Sequence, residues 1–390
     1  MFLFQCVIRI TSLARYLLTI AMQIIERQTP HARDGVRGGE RKMLSKEYIT
    51  VDGSLGEGGG QILRASLALS MVLGRPFRMV NIRANRPKPG QKRQHLTCVQ
   101  AAQQLCEATV TGDSINSTEI YFKPGTIRSG EYSFNIGSGG SCTMVLQALV
   151  PALLTASGPS RLTVTGGTHV PFAPPFEFLR DTLLPWLEKF GPRLKAHMDQ
   201  PGFMQVGGGK ITVTIEPVPK LKSLEACECG AFTGAGAHIR LYNLDTGIAE
   251  REKATLLGEG LHPLGLTEET LYVEAKLRAA EGPGNSVLVT VRRESGVTVC
   301  TGIGQRNLAA EKVVRHAVNR ANSFLGSEVP VELHLADQLI VPLALAGGGS
   351  FLTEKPSLHT RTCMDLLPLF MNITARVTQQ SAKAWLITLQ

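Results

Sequence analysis

Eight cysteines are spread over 390 residues, yet none forms a CxxC motif or a Cys/His spacing of the kind that holds zinc. Cys227 and Cys229 are the one close pair, and a single intervening residue matches a zinc knuckle poorly. Most have apolar neighbours, which predicts reduced core thiols, a reducing compartment and a cytoplasmic location. Long apolar runs are missing as well. Residues 1–10 and 16–25 are interrupted by Arg9 and Arg15, so neither reaches the ~20 residues that cross a bilayer. No small-residue cleavage site comes after them, which opposes a secretory leader. The phosphate-binding pattern GxxxxGKS or GxxxxGKT is absent, and no GxGxxG joins a strand to a helix with an acid ~20 residues on. The glycine turns are therefore neither a P-loop nor a dinucleotide-binding fingerprint.

What remains is a chain of 43% hydrophobic and 19% charged residues with 40 glycines, the composition of an α/β protein with many tight turns. Its length allows two domains or one large one. The formal charge is +9, but residues 1–42 hold seven Lys/Arg against three Asp/Glu, which leaves +5 from Met43 onward. That excess suits an anionic ligand without specifying one. Residues 1–42 differ in character from the rest of the chain and read as a dispensable, poorly ordered extension or a start placed upstream of Met43.

From residue 48 a short β-type run enters DGSLGEGGGQ, and the pattern predicts a helix over residues 62–73 ending at Gly74. Glycine before a helix is most often turn geometry. Glu57 is the exception within it, because a carboxylate among glycines suits a divalent cation, Mg²⁺ or Mn²⁺, that prefers a few hard oxygens and water. Next, Arg83, Arg86, Lys88, Lys92 and Arg93 crowd a loop held by two prolines, before a helix from about His95 to Cys106. Such a run is usually a solvated face; here the prolines restrict it, and clustered guanidinium groups bind phosphate in bidentate fashion. GSGGSCT introduces another helix, with Pro151 inside it and Gln147 as its lone amide.

Residues 334–362 concentrate the chemistry: HLADQ, a glycine-rich break, and PS-x-H-x-x-T. Leu335, Leu339, Leu343 and Ala346 recur at helical spacing, with Pro342 as a kink and Gly347 as a left-handed end. Ser357 reads as the N-cap of a helix over residues 360–370. His359 then stands at a helix amino end, where partial positive charge disfavours imidazolium. A neutral imidazole can attack an electrophile, and the same N–H groups suit a phosphate. A satisfied surface histidine is the plain alternative. On chemistry alone, His334 and His359 compete for the nucleophile's role.

Taken in order, DGxxGEGGGQ, IRAxRxKPG, RQHLT, GSxGSCT, GGT, APP, GPGN, LADQ and PS-x-H-x-x-T resemble the RNA 3′-terminal phosphate cyclases from about residue 49 to 370. The resemblance implies that His359 is the nucleophile that ATP adenylylates. It implies an ATP pocket formed by Gln147 with His334, Leu335, Ala336, Asp337 and Gln338. It adds Arg64, Arg83, Arg86, His95 and Pro174 on the substrate or phosphate side. The expected partner is RNA with a 3′-terminal phosphate, with no membrane; nothing in the sequence opposes a homodimer. Aromatics able to stack bases are scarce near the basic loop, which favours recognition of a terminus over reading of sequence. One departure is Gln205, where the family's GFxPxGGG has proline; loop stiffness should change more than chemistry.

Strand–glycine–helix units recur, so the expected fold is α/β (α+β): a large domain of repeated βαβαββ units with a smaller inserted α/β domain. The expected boundaries are 43–224 with 316–390 for the large domain and 225–315 for the insert. The implied activity is ATP-dependent closure of an RNA 3′-phosphate to a 2′,3′-cyclic phosphodiester. A cyclase-like RNA-binding factor in ribosomal RNA maturation would lack the nucleophilic histidine, an enolpyruvyl transferase of related fold would form no enzyme–AMP, and a plain RNA-binding module is disfavoured by the few aromatics.

Overall fold

Ile62, Leu63, Leu67 and Leu69 lie among so many apolar neighbours that the helix carrying them is buried almost all round, which places it inside a layered fold rather than on a surface. The computed structural model describes residues 47–204, 206–259 and 263–390. The expectations for residues 1–42 and for Gln205 fall outside them. Tyr48–Gln390 forms one compact unit.

That unit repeats one motif. β1 (Ile49–Asp52), α1 (Gln61–Leu73), β2 (Phe77–Val80), α2 (Arg93–Cys106), β3 (Thr109–Thr111) and β4 (Ile120–Lys123) make a four-stranded sheet of order β1-β2-β4-β3. β1 and β2 are parallel, while β4 is antiparallel to β2 and β3. β5 (Glu131–Asn135), α3 (Cys142–Leu153), β6 (Ser160–Gly166), a π-helical segment Phe178–Leu183 running into α4 (Leu184–Glu188), β7 (Arg193–Gln200) and β8 (Gly209–Glu216) repeat it, with order β5-β6-β8-β7.

The third copy begins with β9 (Leu224–Ala226) and is then interrupted by β10 (Phe232–Tyr242), α5 (Gly247–Glu259), β11 (Leu271–Lys276), β12 (Gly284–Arg293), β13 (Gly296–Ile303) and α6 (Ala310–Leu325). It resumes with α7 (Leu333–Leu345), β14 (Gly349–Thr353), α8 (Leu358–Phe370), β15 (Ala375–Gln379) and β16 (Trp385–Leu389), in a sheet of order β15-β16-β14-β9. The expected α/β fold of repeated βαβαββ units with an inserted α/β element is therefore present.

Two hydrophobic cores result from this arrangement. The first is shared by the three repeats, with Leu67 of α1, Leu149 of α3, Leu339 of α7 and Leu367 of α8 fully buried within it. The second belongs to the insert and runs from Ala235 to Val329, so all of α6 packs on the insert's own sheet, order β11-β10-β12-β13. No helix among the described residues is long and apolar enough to cross a membrane.

Glu252 of α5 is fully buried beside that second core, with one hydrogen bond, from Asn285 Nδ2 at 2.9 Å. Burial pushes its carboxyl up from 4.5 to about 7. A folded-state pKa above the unfolded one favours folding only while the group is protonated, so stability falls as pH rises through that window. Glu252→Gln should remove the slope and stabilise the protein at about pH 8 by roughly 3 kcal/mol, measured by denaturant titration at several pH values. An unchanged slope would refute this.

Candidate active site

The glycine turn between β1 and α1 is shaped by what presses on it. Gly56 has φ +59, and the place of its missing Cβ is taken by the Thr362 side chain of α8; a Cβ on Gly60 would overlap the His95 imidazole at the start of α2. Only glycine permits such approach from two sides. The turn thus carries Glu57 to a point between two other elements. One carboxylate oxygen pairs with Arg86 of the basic loop, and Oε2 lies 2.8 Å from His359 Nδ1. That second contact is at ion-pair distance without hydrogen-bond alignment, and neither atom has another partner.

His359 is set there by its helix end. Ser357 caps α8 as expected, its Oγ accepting the Thr360 N–H at 3.1 Å. Its half-buried ring has a pKa lowered from 6.5 to about 4, first by burial and then by Arg64, Arg86 and His334. It is neutral at physiological pH. His334 behaves in the opposite way. Glu332 caps α7, accepting the N–H groups of His334 and Leu335, and its Oε1 lies 2.8 Å from His334 Nδ1 and 2.7 Å from Arg320 Nε. That carboxylate raises the pKa of His334. Burial opposes charge on Glu332, but His334 and Arg320 outweigh it and hold the group at about 2. Two histidines that the sequence cannot separate are therefore distinguished by their neighbours: the pKa of His359 is lowered and that of His334 is raised.

Behind His359 runs a chain of polar contacts. Arg64 Nη2 donates to Gln61 Oε1 at 2.6 Å, and Gln61 Nε2 donates to Asp337 Oδ2 at 2.5 Å. Gln61 thus links a buried cation to a carboxyl that burial pushes up to about 6. Arg64, Gln147, Asp337 and Gln338 line one pocket with Gln61, walled by apolar residues of α3, α4 and the π-helical segment. Gln338 Nε2 is tied to the His334 carbonyl at 2.9 Å, while its Oε1 is buried without a partner. An unmet acceptor in a mostly apolar pocket fits a ligand with a donor, such as an amino-bearing base.

Other expected residues are placed differently. Leu335 and Ala336 are fully buried in the shared core and offer no surface to the pocket. Pro174 is half-buried, and its carbonyl accepts Thr143 Oγ1 at 2.6 Å, tying the APP turn to α3. Arg83 braces its own loop, with Nη1 donating to the carbonyls of Lys88 and Gly90 at 2.7 and 3.0 Å. His95, pulled down to about 3 by burial and the nearby Arg64, stays neutral against the glycine turn. Among the described residues no group of three or more His, Cys, Asp or Glu is arranged to hold a metal. Glu57, one carboxylate with an unmet oxygen, instead fits a cation that arrives with phosphates and keeps most of its water.

Sequence reasoning passed over Gln61 and Glu332. Gln61 stands last in the quoted glycine motif, so its position was visible; its role was not. It also passed over Gln94, whose Oε1 accepts the Ser141 N–H at 2.7 Å and joins α2 to the second glycine turn.

A family model described as RNA 3′-terminal phosphate cyclase matches residues 55–377 of the chain. A protein of Koribacter versatilis (strain Ellin345) named RNA 3′-terminal phosphate cyclase is 44% identical over 332 residues, covering 85% of this chain and 92% of that relative.

Proposed function

Because the chain belongs to the RNA 3′-terminal phosphate cyclase family, we propose that it uses ATP to close the 3′-phosphate of RNA into a 2′,3′-cyclic phosphodiester. The observation that carries this reading is the neutral His359 imidazole beside Glu57, Arg86 and Arg64. With Nδ1 facing Glu57, the lone pair used is that of Nε2. It attacks the α-phosphorus of ATP; an N–P bond forms and the P–O bond to pyrophosphate breaks. An oxygen of the RNA 3′-phosphate then attacks the same phosphorus, the N–P bond breaks, and the imidazole is restored. Finally the neighbouring 2′-OH attacks the terminal phosphorus, AMP leaves, and the hydroxyl proton passes to solvent or a nearby base. Closure is intramolecular, so proximity supplies much of the rate.

Arg64 and Arg86 face the region where phosphate charge accumulates, and Gln147 and Gln338 suit the nucleoside end. Glu57 orients the imidazole and is the candidate ligand for Mg²⁺ or Mn²⁺, which when bound offsets charge on the phosphates. Seven described cysteines are free, five of them buried, which supports a cytoplasmic setting.

Labelling with α-labelled ATP, followed by denaturation, tests this reading; an enolpyruvyl transferase or a binding factor retains no label. The pH profile tests the nucleophile. Protonation removes the attacking lone pair, so the single-turnover rate of labelling should be flat from about pH 7 to about pH 5. It should halve near the imidazole's value of about 4. Half-loss at the ordinary 6.5 would contradict the assignment.

A further inference from the structure

The sheet of the insert has two unlike faces. Ala237, Ile239, Val287 and Val289 point into the second core under α5 and α6. Alternate residues of the same strands point the other way: His238 of β10, Tyr272 of β11, Thr290 and Arg292 of β12. The π-helical segment and α4 cover part of that face and leave a cleft of about 610 Å³ lined by these four residues and by Arg180 and Asp181. The size is within the range of ligand pockets, ~300–1,000 Å³.

Most charges in the cleft are already matched. Arg180 pairs with Asp181, and Glu177, also in the lining, pairs with Arg240. Arg292 is the exception, with no ion pair among the described residues, and its guanidinium lies over Gly236, where no side chain intervenes. Tyr272 is 62% exposed, and its ring meets the His238 ring edge-on at 4.7 Å. His238 is kept neutral, its pKa pulled down to about 4 by burial. An exposed aromatic fixed on a sheet face, beside a free guanidinium and a threonine hydroxyl, is the set of groups that binds single-stranded nucleic acid: bases stack and phosphates pair.

The cleft also shares a wall with the nucleotide pocket. Leu179 and Leu183 of the π-helical segment face that pocket, whereas Arg180 and Asp181 of the same segment face the cleft. We propose that the cleft holds a single-stranded stretch of the RNA upstream of its reacting 3′ end, with a base on Tyr272 and a phosphate on Arg292. This rests on the reading of RNA as substrate. It assigns to the insert the task of gripping the body of the polymer while the repeats handle its terminus.

The test is equilibrium binding of the full chain to 3′-phosphorylated oligoribonucleotides of ~4 and ~12 nucleotides, lengths that bracket typical single-strand sites. The longer one should bind more tightly. Tyr272→Ala and Arg292→Ala should each weaken it about tenfold, leave the shorter one unchanged, and leave labelling by ATP without RNA unchanged. Tyr272→Phe should restore the long-oligomer affinity. Equal binding of both lengths, or variants that bind like the parent, would overturn the cleft while normal labelling kept the cyclase reading. Loss of labelling in the parent chain, with the length preference intact and dependent on Tyr272, would overturn the cyclase reading and keep the cleft.

Discussion

His359→Ala should lower RNA cyclisation by at least ~10⁴-fold, because in the proposed mechanism it removes the group that bonds to phosphorus. His334→Ala should retain the labelled intermediate. The difference comes from the two rings' surroundings. His334 is exposed, and its Nδ1 lies 2.8 Å from Glu332 Oε1 in hydrogen-bond alignment; that carboxylate raises its pKa. His359 Nδ1 also faces a carboxylate, Glu57 Oε2 at 2.8 Å, but without hydrogen-bond alignment, and burial with Arg64, Arg86 and His334 lowers its pKa to about 4. Assaying cyclisation and ATP labelling in both variants checks this. Equal losses would mean that the site acts through a shared structural effect and not through one nucleophile.

The second large effect is on folding. Glu332 is 2% exposed and meets Arg320, His334 and two N–H groups of α7. Arg320 also pairs with Glu354, whose Oε2 accepts the Leu333 N–H at 3.1 Å. Glu332→Ala leaves Arg320 half-matched in a partly buried position and uncaps the helix that carries Asp337 and Gln338. Breaking a buried pair from one side costs roughly 3–5 kcal/mol, so a denaturant midpoint should fall accordingly. The pH dependence has a definite sign. The folded pKa of Glu332 is depressed from 4.5 to about 2, so its stabilisation is complete above 4.5 and is lost as pH falls toward 2. The variant should lack that part of the acid transition. A loss below ~1 kcal/mol would show that the network is dispensable.

The sequence made some of this legible for local reasons. Glycine before an apolar run, Ser357 before His359, and the glycine that stops α1 are decided by neighbouring residues, and each appears where expected. The βαβαββ rhythm was legible because each strand–turn–helix unit has its own periodicity. What was hidden depends on residues far apart in the chain. Glu57 meets His359, and Gln61 meets Asp337, only once the first and third repeats pack together through α1, α7 and α8. Glu332 is not legible as a cap because glutamate is not among the favoured N-cap residues, and its partner Arg320 lies on the insert's last helix. Leu335 and Ala336 were drawn into the expected pocket by their motif, although helical geometry turns them to the core and leaves Asp337 and Gln338 outside. The open face of the insert was invisible for a further reason: Tyr272 and Arg292 lie on strands that are neighbours only through β10.

Peptide mapping by mass spectrometry, after the protein meets ATP and Mg²⁺ without RNA, bears most directly on the role of the His359 ring. A single adenylate on that ring, discharged when 3′-phosphorylated RNA is added, is the predicted result. An adenylate on His334 or on a lysine, or no adduct at all, would contradict it.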